Sequence, residues 1–205
     1  MKASKEIIFS ERIASSVSHE LRNILAVIKE NSGLLQDLIM LGKYDDSSGK
    51  LKKITDTILK QVSIGEETTT HLNKFAHLND KDIELFSCKN ELNELLGLIK
   101  RPLKQKGLDI VLNIDEDIKI EASRFFFQMT LYFIINEIIK LSEYGSKLEI
   151  TFLKDKIKSQ IELKTDCVLQ IDIKTLENSL KENLAFMKTG LDKKENSIFL
   201  NTGRA

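Results

Sequence analysis

The 205-residue sequence is poor in the residues that interrupt or crosslink a chain. It contains one proline, nine glycines, two cysteines and no tryptophan. The glycines mostly occur singly, so no glycine-rich loop is available to bring backbone N–H groups close to phosphates. Cys88 and Cys167 have no metal-ligand spacing between them, and we interpret both as reduced thiols that fill small spaces in the packing.

Net charge and long apolar segments are absent as well. Lys+Arg and Asp+Glu each number 31, so no overall field attracts the chain to nucleic acid or to an anionic membrane. No segment approaches the roughly 18 consecutive apolar residues of a membrane-spanning helix, and the apolar run near the start is too short for a signal peptide. We therefore expect a cytoplasmic protein that binds neither nucleic acid nor membrane.

Two long amphipathic helices are predicted in residues 1–80. The first spans about residues 4–41, the second spans about residues 48–78, and a turn at 42–49 joins them. Both carry seam residues on alternating steps of three and four, which is a heptad pattern. The seams consist of Val17, Leu21, Ile24, Ile28, Asn31, Leu35 and Leu38, and of Leu51, Ile54, Ile58, Gln61, Gly65, Thr68, Leu72 and Phe75.

One such hairpin cannot bury both faces of its apolar stripe. Pairing two hairpins into a four-helix bundle removes this exposure, so we expect a homodimer.

Residues 81–205 have the mixed pattern of a small α/β sandwich, so the expected fold class is α+β, with helices on one face of a mixed sheet. Ser87 and Ser123 are predicted N-caps of two of its helices. The predicted helices span about residues 87–106, 123–141 and 173–191. The predicted strands span residues 83–86, 108–114, 147–154, 157–165 and 197–201, with a hairpin turn near Asp155 and Lys156.

A polar group stands out on the first predicted helix. If Val17 and Leu21 are core positions, His19 falls on the outward face. Asn23 lies one turn later on that face, and Glu20 lies towards its flank. A surface histidine usually has no catalytic role, so this position alone carries no hypothesis.

The chemistry of this group is nevertheless suited to phosphoryl transfer. An imidazole in water keeps a nucleophilic nitrogen at cellular pH. A neighbouring carboxylate such as Glu20 can fix its tautomer or accept a proton during attack on phosphorus. The amide of Asn23 can orient a water molecule. His19, Glu20 and Asn23 thus form an exposed polar group whose chemistry is compatible with catalysis, and the resemblance described next makes them our predicted catalytic residues.

The residues around His19 resemble the histidine-containing box of sensor histidine kinases. Segment 15–28 reads SSVSHELRNILAVI, and its SHELRN run follows the family's order. Ile24 stands where the family usually has proline, which removes a helix kink.

The likeness extends over about residues 10–165. Residues 85–114, with a turn at Lys106 and Gly107, resemble the opening of the family's ATP-binding domain. The lead-in and the second asparagine of the family's asparagine box are matched by Arg124, Gln128 and Asn136, and the turn and strand that follow are matched by Gly145 and residues 147–150.

The family pattern then breaks. Asp166 is the relic of an Asp-x-Gly-x-Gly motif, but no glycine follows it, and Tyr132 replaces the first asparagine, a metal ligand in the family. After Gly145 the only glycines are Gly190 and Gly203, and the nucleotide lid is missing. We interpret Asn136 as a buried or helix-surface amide, and Thr189-Gly190-Leu191 as a helix C-cap. The expectation is a chain without ATP, metal or other cofactor of its own.

A dimerisation hairpin with a shortened, nucleotide-free kinase-like domain resembles the histidine phosphotransferases of bacterial phosphorelays. The resemblance implies that His19 shuttles phosphate between the aspartates of response-regulator receiver domains, which supply the magnesium. Glu20 and Asn23 also match the pattern of phosphatase-competent members. Candidates for contacting the receiver, or for supporting the contact surface, are Ala14, Val17, Ser18, Arg22, Ala26 and Ile28.

Three alternatives remain open at the level of sequence. A divergent kinase would still bind ATP, although the missing glycines argue against it. A pseudokinase interaction module would sequester a kinase or regulator and carry no phosphate. The SHELRN run argues against it, because sequestration does not need a histidine there. A plain dimeric coiled coil is disfavoured by the α/β second half.

Overall fold

The computed structural model describes residues 4–42, 49–154, 159–166 and 171–202. Two long helices come first and a compact α/β body follows. The helices are α1 (Lys5–Met40), α2 (Lys50–Ala76), α3 (Cys88–Leu98), α4 (Lys100–Gln105), α5 (Arg124–Leu141) and α6 (Ile173–Phe186). The strands are β1 (Glu84–Ser87), β2 (Asp109–Asn113), β3 (Lys119–Ala122), β4 (Lys147–Lys154), β5 (Ser159–Thr165), β6 (Gly190–Lys194) and β7 (Ser197–Thr202). The α+β prediction is confirmed.

Both seams of the helical hairpin are the less exposed faces of their helices. Val17 and Ile24 on α1, and Ile54 and Thr68 on α2, are buried, and the other predicted seam residues are half-buried. The predicted turn between Gly42 and Gly49, the one at Asp155 and Lys156, and Cys167 lie outside the described residues.

The predicted caps start two helices of the body. The Ser87 hydroxyl accepts a hydrogen bond from the Asn90 N–H at 3.0 Å, and the Ser123 hydroxyl accepts one from the Phe126 N–H at 3.4 Å. Each bond satisfies one of the N–H groups that have no partner in the first turn of a helix. These local signals therefore placed α3 and α5 correctly.

A mixed sheet of five strands has the order β2-β4-β5-β7-β6. Strands β2 and β4 are parallel, and the other neighbours are antiparallel. Alternate residues of β4, namely Leu148, Ile150 and Phe152, are buried, so one face of the sheet packs on the core. Helix α5 contacts both α3 and α6, which explains why it is apolar on nearly all sides.

The end of the last predicted helix is wrong. Helix α6 stops at Phe186, and residues 190–194 form strand β6 on the edge of the sheet. Lys188 adopts a left-handed backbone (φ 54°), and the Thr189 N–H donates to the Leu184 carbonyl at 2.9 Å. This is a Schellman-type ending, so the C-cap lies at Met187 and not at Gly190.

Strand β3 was not predicted at all. It pairs antiparallel with β1 in a separate two-stranded sheet. Its four residues are too few to show a clear alternation in the sequence, although Ile120 and Ala122 are buried. Only the pairing with β1 defines it.

Candidate functional site

His19 lies on α1 where the hairpin meets the α/β body. The opposite face of the helix is buried through Phe9, Ile13, Val17 and Ile24. His19 itself is half-buried, not exposed as predicted. One turn before it, the Ser16 hydroxyl donates to the Leu98 carbonyl at 2.9 Å, so the body covers α1 up to the edge of the histidine.

The imidazole of His19 has no hydrogen-bond partner within the described ranges, and neither does the carboxylate of Glu20. Glu20 is half-buried and Asn23 is exposed. Both ring nitrogens of His19 are therefore free of competing bonds from this part of the chain.

The predicted partner-contact residues lie on an open face, on a flank or on the buried side of α1. With about 100° per residue in an α-helix, Arg22 and Ala26 lie within about 60° of His19 on the open face, as does the predicted catalytic residue Asn23, and all three are exposed. Exposed Ala14 and Ser18 lie on a flank, about 100° or more from the histidine.

Among the candidates for contacting the receiver or supporting the contact surface, Val17 can only have the supporting role. It is only 3% exposed and belongs to the hydrophobic core. Because its side chain packs inward, it does not reach a partner protein. Ile28 is half-buried on the seam, so it too supports the helix rather than the open face.

The residues that correspond to a nucleotide site have other roles in this fold. Tyr132 is 8% exposed, and its ring lies 5.1 Å from that of Phe9. Burial raises the pKa of its phenol, and the positive charge of Arg12 partly offsets that shift. The Asp166 carboxylate accepts a hydrogen bond from the Lys147 N–H at 3.1 Å.

Asn136 is half-buried and lines a cavity beside α1, as a helix-surface amide would. No group of three or more metal-binding side chains of the His, Cys, Asp or Glu type is found in residues 4–42, 49–154, 159–166 and 171–202.

The same cavity contains residues that the sequence analysis did not select. Arg12 and Ser15 line it from α1, and Arg101 and Gln105 line it from α4. The sequence did contain a signal for Arg12 and Ser15. They precede His19 by seven and four residues and so share its helix face. Arg101 gave no such signal, because its proximity depends on tertiary packing.

Arg124 and Gln128, matched above to the lead-in of the asparagine box, hold a buried carboxylate. The Arg124 Nε donates to Glu91 Oε1 at 2.8 Å, and the Gln128 Nε2 donates to Glu91 Oε2 at 2.7 Å. These bonds tie α5 to α3, so the two residues have a structural role.

The two remaining histidines lie near the end of α2. His77 is exposed and faces Asp80. His71 lies between the hairpin and the body, with its Nδ1 2.5 Å from Glu94 Oε2 and its Nε2 3.4 Å from Glu67 Oε1. One histidine is therefore solvated and the other lies between the hairpin and the body, and neither has a Glu and Asn arrangement like that at His19.

Within residues 4–42, 49–154, 159–166 and 171–202, no helix is long and apolar enough to cross a membrane.

Solved structures of histidine kinases share this architecture. The histidine kinase AdeS of Acinetobacter baumannii superposes with a TM-score of 0.52 at 17% identity, covering 90% of this chain and 97% of that one. Histidine kinase ThkA in complex with response regulator protein TrrA gives 0.49 at 17% identity, covering 92% and 59%. The cytoplasmic segment of histidine kinase QseC gives 0.49 at 10% identity, covering 68% and 93%.

No protein-family model matches the sequence, and no curated protein does. Similarity at these identities establishes the fold only. The chain therefore has a histidine-kinase-like core fold, in which a long helical hairpin is followed by a small domain built on a mixed sheet.

Proposed function

We propose that this protein is a histidine phosphotransferase, in which His19 carries phosphate between the aspartates of response-regulator receiver domains. The observation that carries the proposal is the placement of the SHELRN histidine. It lies where the covered part of α1 ends and the open surface with Asn23 and Ala26 begins. A partner can reach the imidazole from that open side.

The proposed step exchanges one bond to phosphorus for another. A nitrogen of neutral His19 attacks the phosphorus of the receiver's aspartyl phosphate, the N–P bond forms, and the P–O bond to the aspartate breaks. The aspartate leaves as a carboxylate, and the second ring nitrogen releases its proton to Glu20 or to water. The receiver supplies magnesium, and the reverse reaction loads a second receiver.

The open surface supports this role through its shape and composition. Beyond His19, the face of α1 continues through Ala26, Glu30 and Gly33, two of which are small, and no part of the described body covers it. Ala26 lies about 10 Å from His19 along the axis, at about 1.5 Å per residue. A receiver helix can therefore pack beside the histidine without moving the body.

ATP-dependent phosphorylation of His19 is the main alternative. Two features favour transfer from a receiver instead. The sequence after Gly145 contains only two glycines, Gly190 and Gly203, and the α5 face with Tyr132 packs against Phe9 of α1. Close backbone approach to a triphosphate needs glycine, and that face of α5 is already occupied.

The proposal is tested by mixing the purified protein with candidate receivers carrying labelled phosphate. Acid-labile phosphate is expected on the wild type and on the His77→Ala control, which removes an exposed histidine just after the end of α2. His19→Ala is expected to accept none while keeping its helical circular dichroism.

Two results would contradict the proposal. Label on His19 after incubation with labelled ATP alone would indicate a kinase. Full relay activity in His19→Ala would indicate an interaction module that carries no phosphate.

The proposal includes a homodimer. On the hairpin, the apolar side chains of Leu59, Met40 and Leu41 are 66%, 77% and 67% exposed. A second hairpin would bury such side chains. Sedimentation equilibrium should give about twice the 23.4 kDa chain mass. A mass of one chain at micromolar concentration would exclude the dimer.

A further inference from the structure

A cavity of about 160 Å³ lies next to the His19 region, between α1, α4 and α5. It is smaller than the roughly 300–1,000 Å³ of most small-molecule sites, so a compact ligand fits it better than a nucleotide does. Polar side chains from all three helices line it, namely Arg12, Ser15, Arg101, Gln105, Tyr132 and Asn136.

The charge of this cavity is positive and uncompensated. Arg12 and Arg101 form no ion pair or hydrogen bond within the described part of the chain, and none of the described residues that line the cavity is acidic. Arginine is always charged and presents several N–H donors in a planar fork, which matches the oxygens of phosphate.

The hydroxyl of Tyr132 provides a second observation. Tyr132 is more than nine-tenths buried and lines the cavity, and its hydroxyl makes no hydrogen bond within residues 4–42, 49–154, 159–166 and 171–202. A hydroxyl at a cavity wall without a protein partner can donate to a ligand there. The amides of Asn136 and Gln105 add further donors.

We infer that this cavity is a binding site for a compact oxyanion, namely inorganic phosphate or the phosphate group of a small metabolite. Arg12 and Arg101 hold its charge, and the Tyr132 hydroxyl donates to it. The site goes beyond the proposed phosphotransfer, because it does not include His19. Since its ligands come from three helices, the bound anion ties α1 to the body.

The test is calorimetric titration of the full-length protein with inorganic phosphate at constant ionic strength. Arg12→Gln and Arg101→Gln should each weaken phosphate binding about tenfold or more, because each removes a charge-assisted bond. Lys29→Gln, which removes an exposed cation of α1 outside the cavity, should bind like the wild type. The phosphate affinity of Arg12→Lys should lie between those of Arg12→Gln and the wild type, and the affinity of His19→Ala should equal that of the wild type.

Additional ligands distinguish the sources of the phosphate group. A small phosphomonoester that binds more tightly than inorganic phosphate would identify a metabolite site, and weaker binding would identify free phosphate. Tighter binding of ATP than of either would overturn the compact site. So would the absence of phosphate binding at millimolar concentration, or equal weakening by Arg12→Gln and Lys29→Gln. Phosphate binding to the cavity is measured independently of His19, because His19→Ala is expected to keep it. Failure of the cavity proposal is therefore distinguishable from failure of the proposed phosphotransfer.

Discussion

Glu91 shows how a single buried carboxylate can join several elements. It is 3% exposed, it accepts hydrogen bonds from Arg124 and Gln128, and Arg124 also reaches Glu84 at 3.4 Å. These contacts connect α3, α5 and β1. A buried charge is tolerated only when it is paired in this way, so the Arg124 and Gln128 matched to a nucleotide-binding family serve packing in this chain.

Glu91→Ala should lower the free energy of unfolding by about 3 kcal/mol, because it leaves the buried Gln128 amide without its acceptor and leaves Arg124 with Glu84 as its only carboxylate partner among the described residues. Urea denaturation measures the change. Glu177→Ala, at an exposed position of α6, is the control and should change stability by less than about 0.5 kcal/mol. Equal effects of the two substitutions would show that the buried contacts contribute nothing.

At the scale of elements, the junction of α2 with α3 holds the end of α2 to the body. His71 and Lys74 of α2 contact Glu94 of α3, and Lys100 at the start of α4 pairs with Glu67 at 2.9 Å. The His71 ring lies so close to Gly97 that a Cβ there would be 2.6 Å from Nε2. Gly97 is thus required by close approach and not by its backbone conformation.

Gly97→Ala should therefore destabilise the protein by about 1–3 kcal/mol through overpacking against His71. In the His71→Ala background the same change should be neutral or stabilising by up to about 1 kcal/mol, since alanine favours a helix interior more than glycine does. A double-mutant cycle of urea midpoints measures this coupling. Identical effects in both backgrounds would contradict the steric explanation.

Acid should weaken the same junction. Burial opposes ionisation of Glu94, but the hydrogen bonds from Lys74 and His71 outweigh it, so the pKa of Glu94 lies below its ordinary value of 4.5. A depressed folded-state pKa adds stability above the unfolded value, and this stability is lost as pH falls through the folded value.

The expected readout is the urea midpoint of wild type and Glu94→Gln between about pH 3 and pH 7. The difference between them should be largest at neutral pH and should shrink towards pH 3. Glu66→Gln, an exposed position on α2, should run parallel to the wild type. A constant difference for Glu94→Gln would contradict the assignment.

On the scale of the whole molecule, the hairpin and the body share one hydrophobic core. Phe9 of α1 is fully buried. The centroid of its ring lies 5.4 Å from the ring centroid of Phe75, 5.6 Å from that of Phe125 and 5.1 Å from that of Tyr132. Residues 1–80 and 81–205 were predicted as separate domains, and Phe9 lies in the contact between these two segments. The position of the His19 helix is set by this contact.

Phe9→Ala should lower the free energy of unfolding by about 3–5 kcal/mol, because it leaves a cavity among three aromatic rings. Hydrogen exchange should also show loss of protection in the first turns of α1, while strands β4 and β5 keep theirs. Phe186→Ala, at a side chain that is 45% exposed, is the control and should cost less. Uniform loss of protection would show that Phe9 acts on the fold as a whole.

Much of the fold could be predicted from local patterns. The heptad seams, the caps at Ser87 and Ser123, and the alternation in β4 all depend on residues within a few positions of one another. Strand β6 could not be predicted, because its GLDKK sequence carries one buried residue, Leu191, and is a strand only by pairing with β7.

The candidate site divides in the same way. The sequence by itself determined that His19 lies in a SHELRN run on an amphipathic helix, since helix faces follow from spacing alone. Tertiary structure alone decided that His19 is half-buried at the edge of the body and that Arg101 lines a cavity with Arg12. The reason is sequence separation: Ser16 and Leu98 are 82 positions apart and meet only when α1 packs on the body.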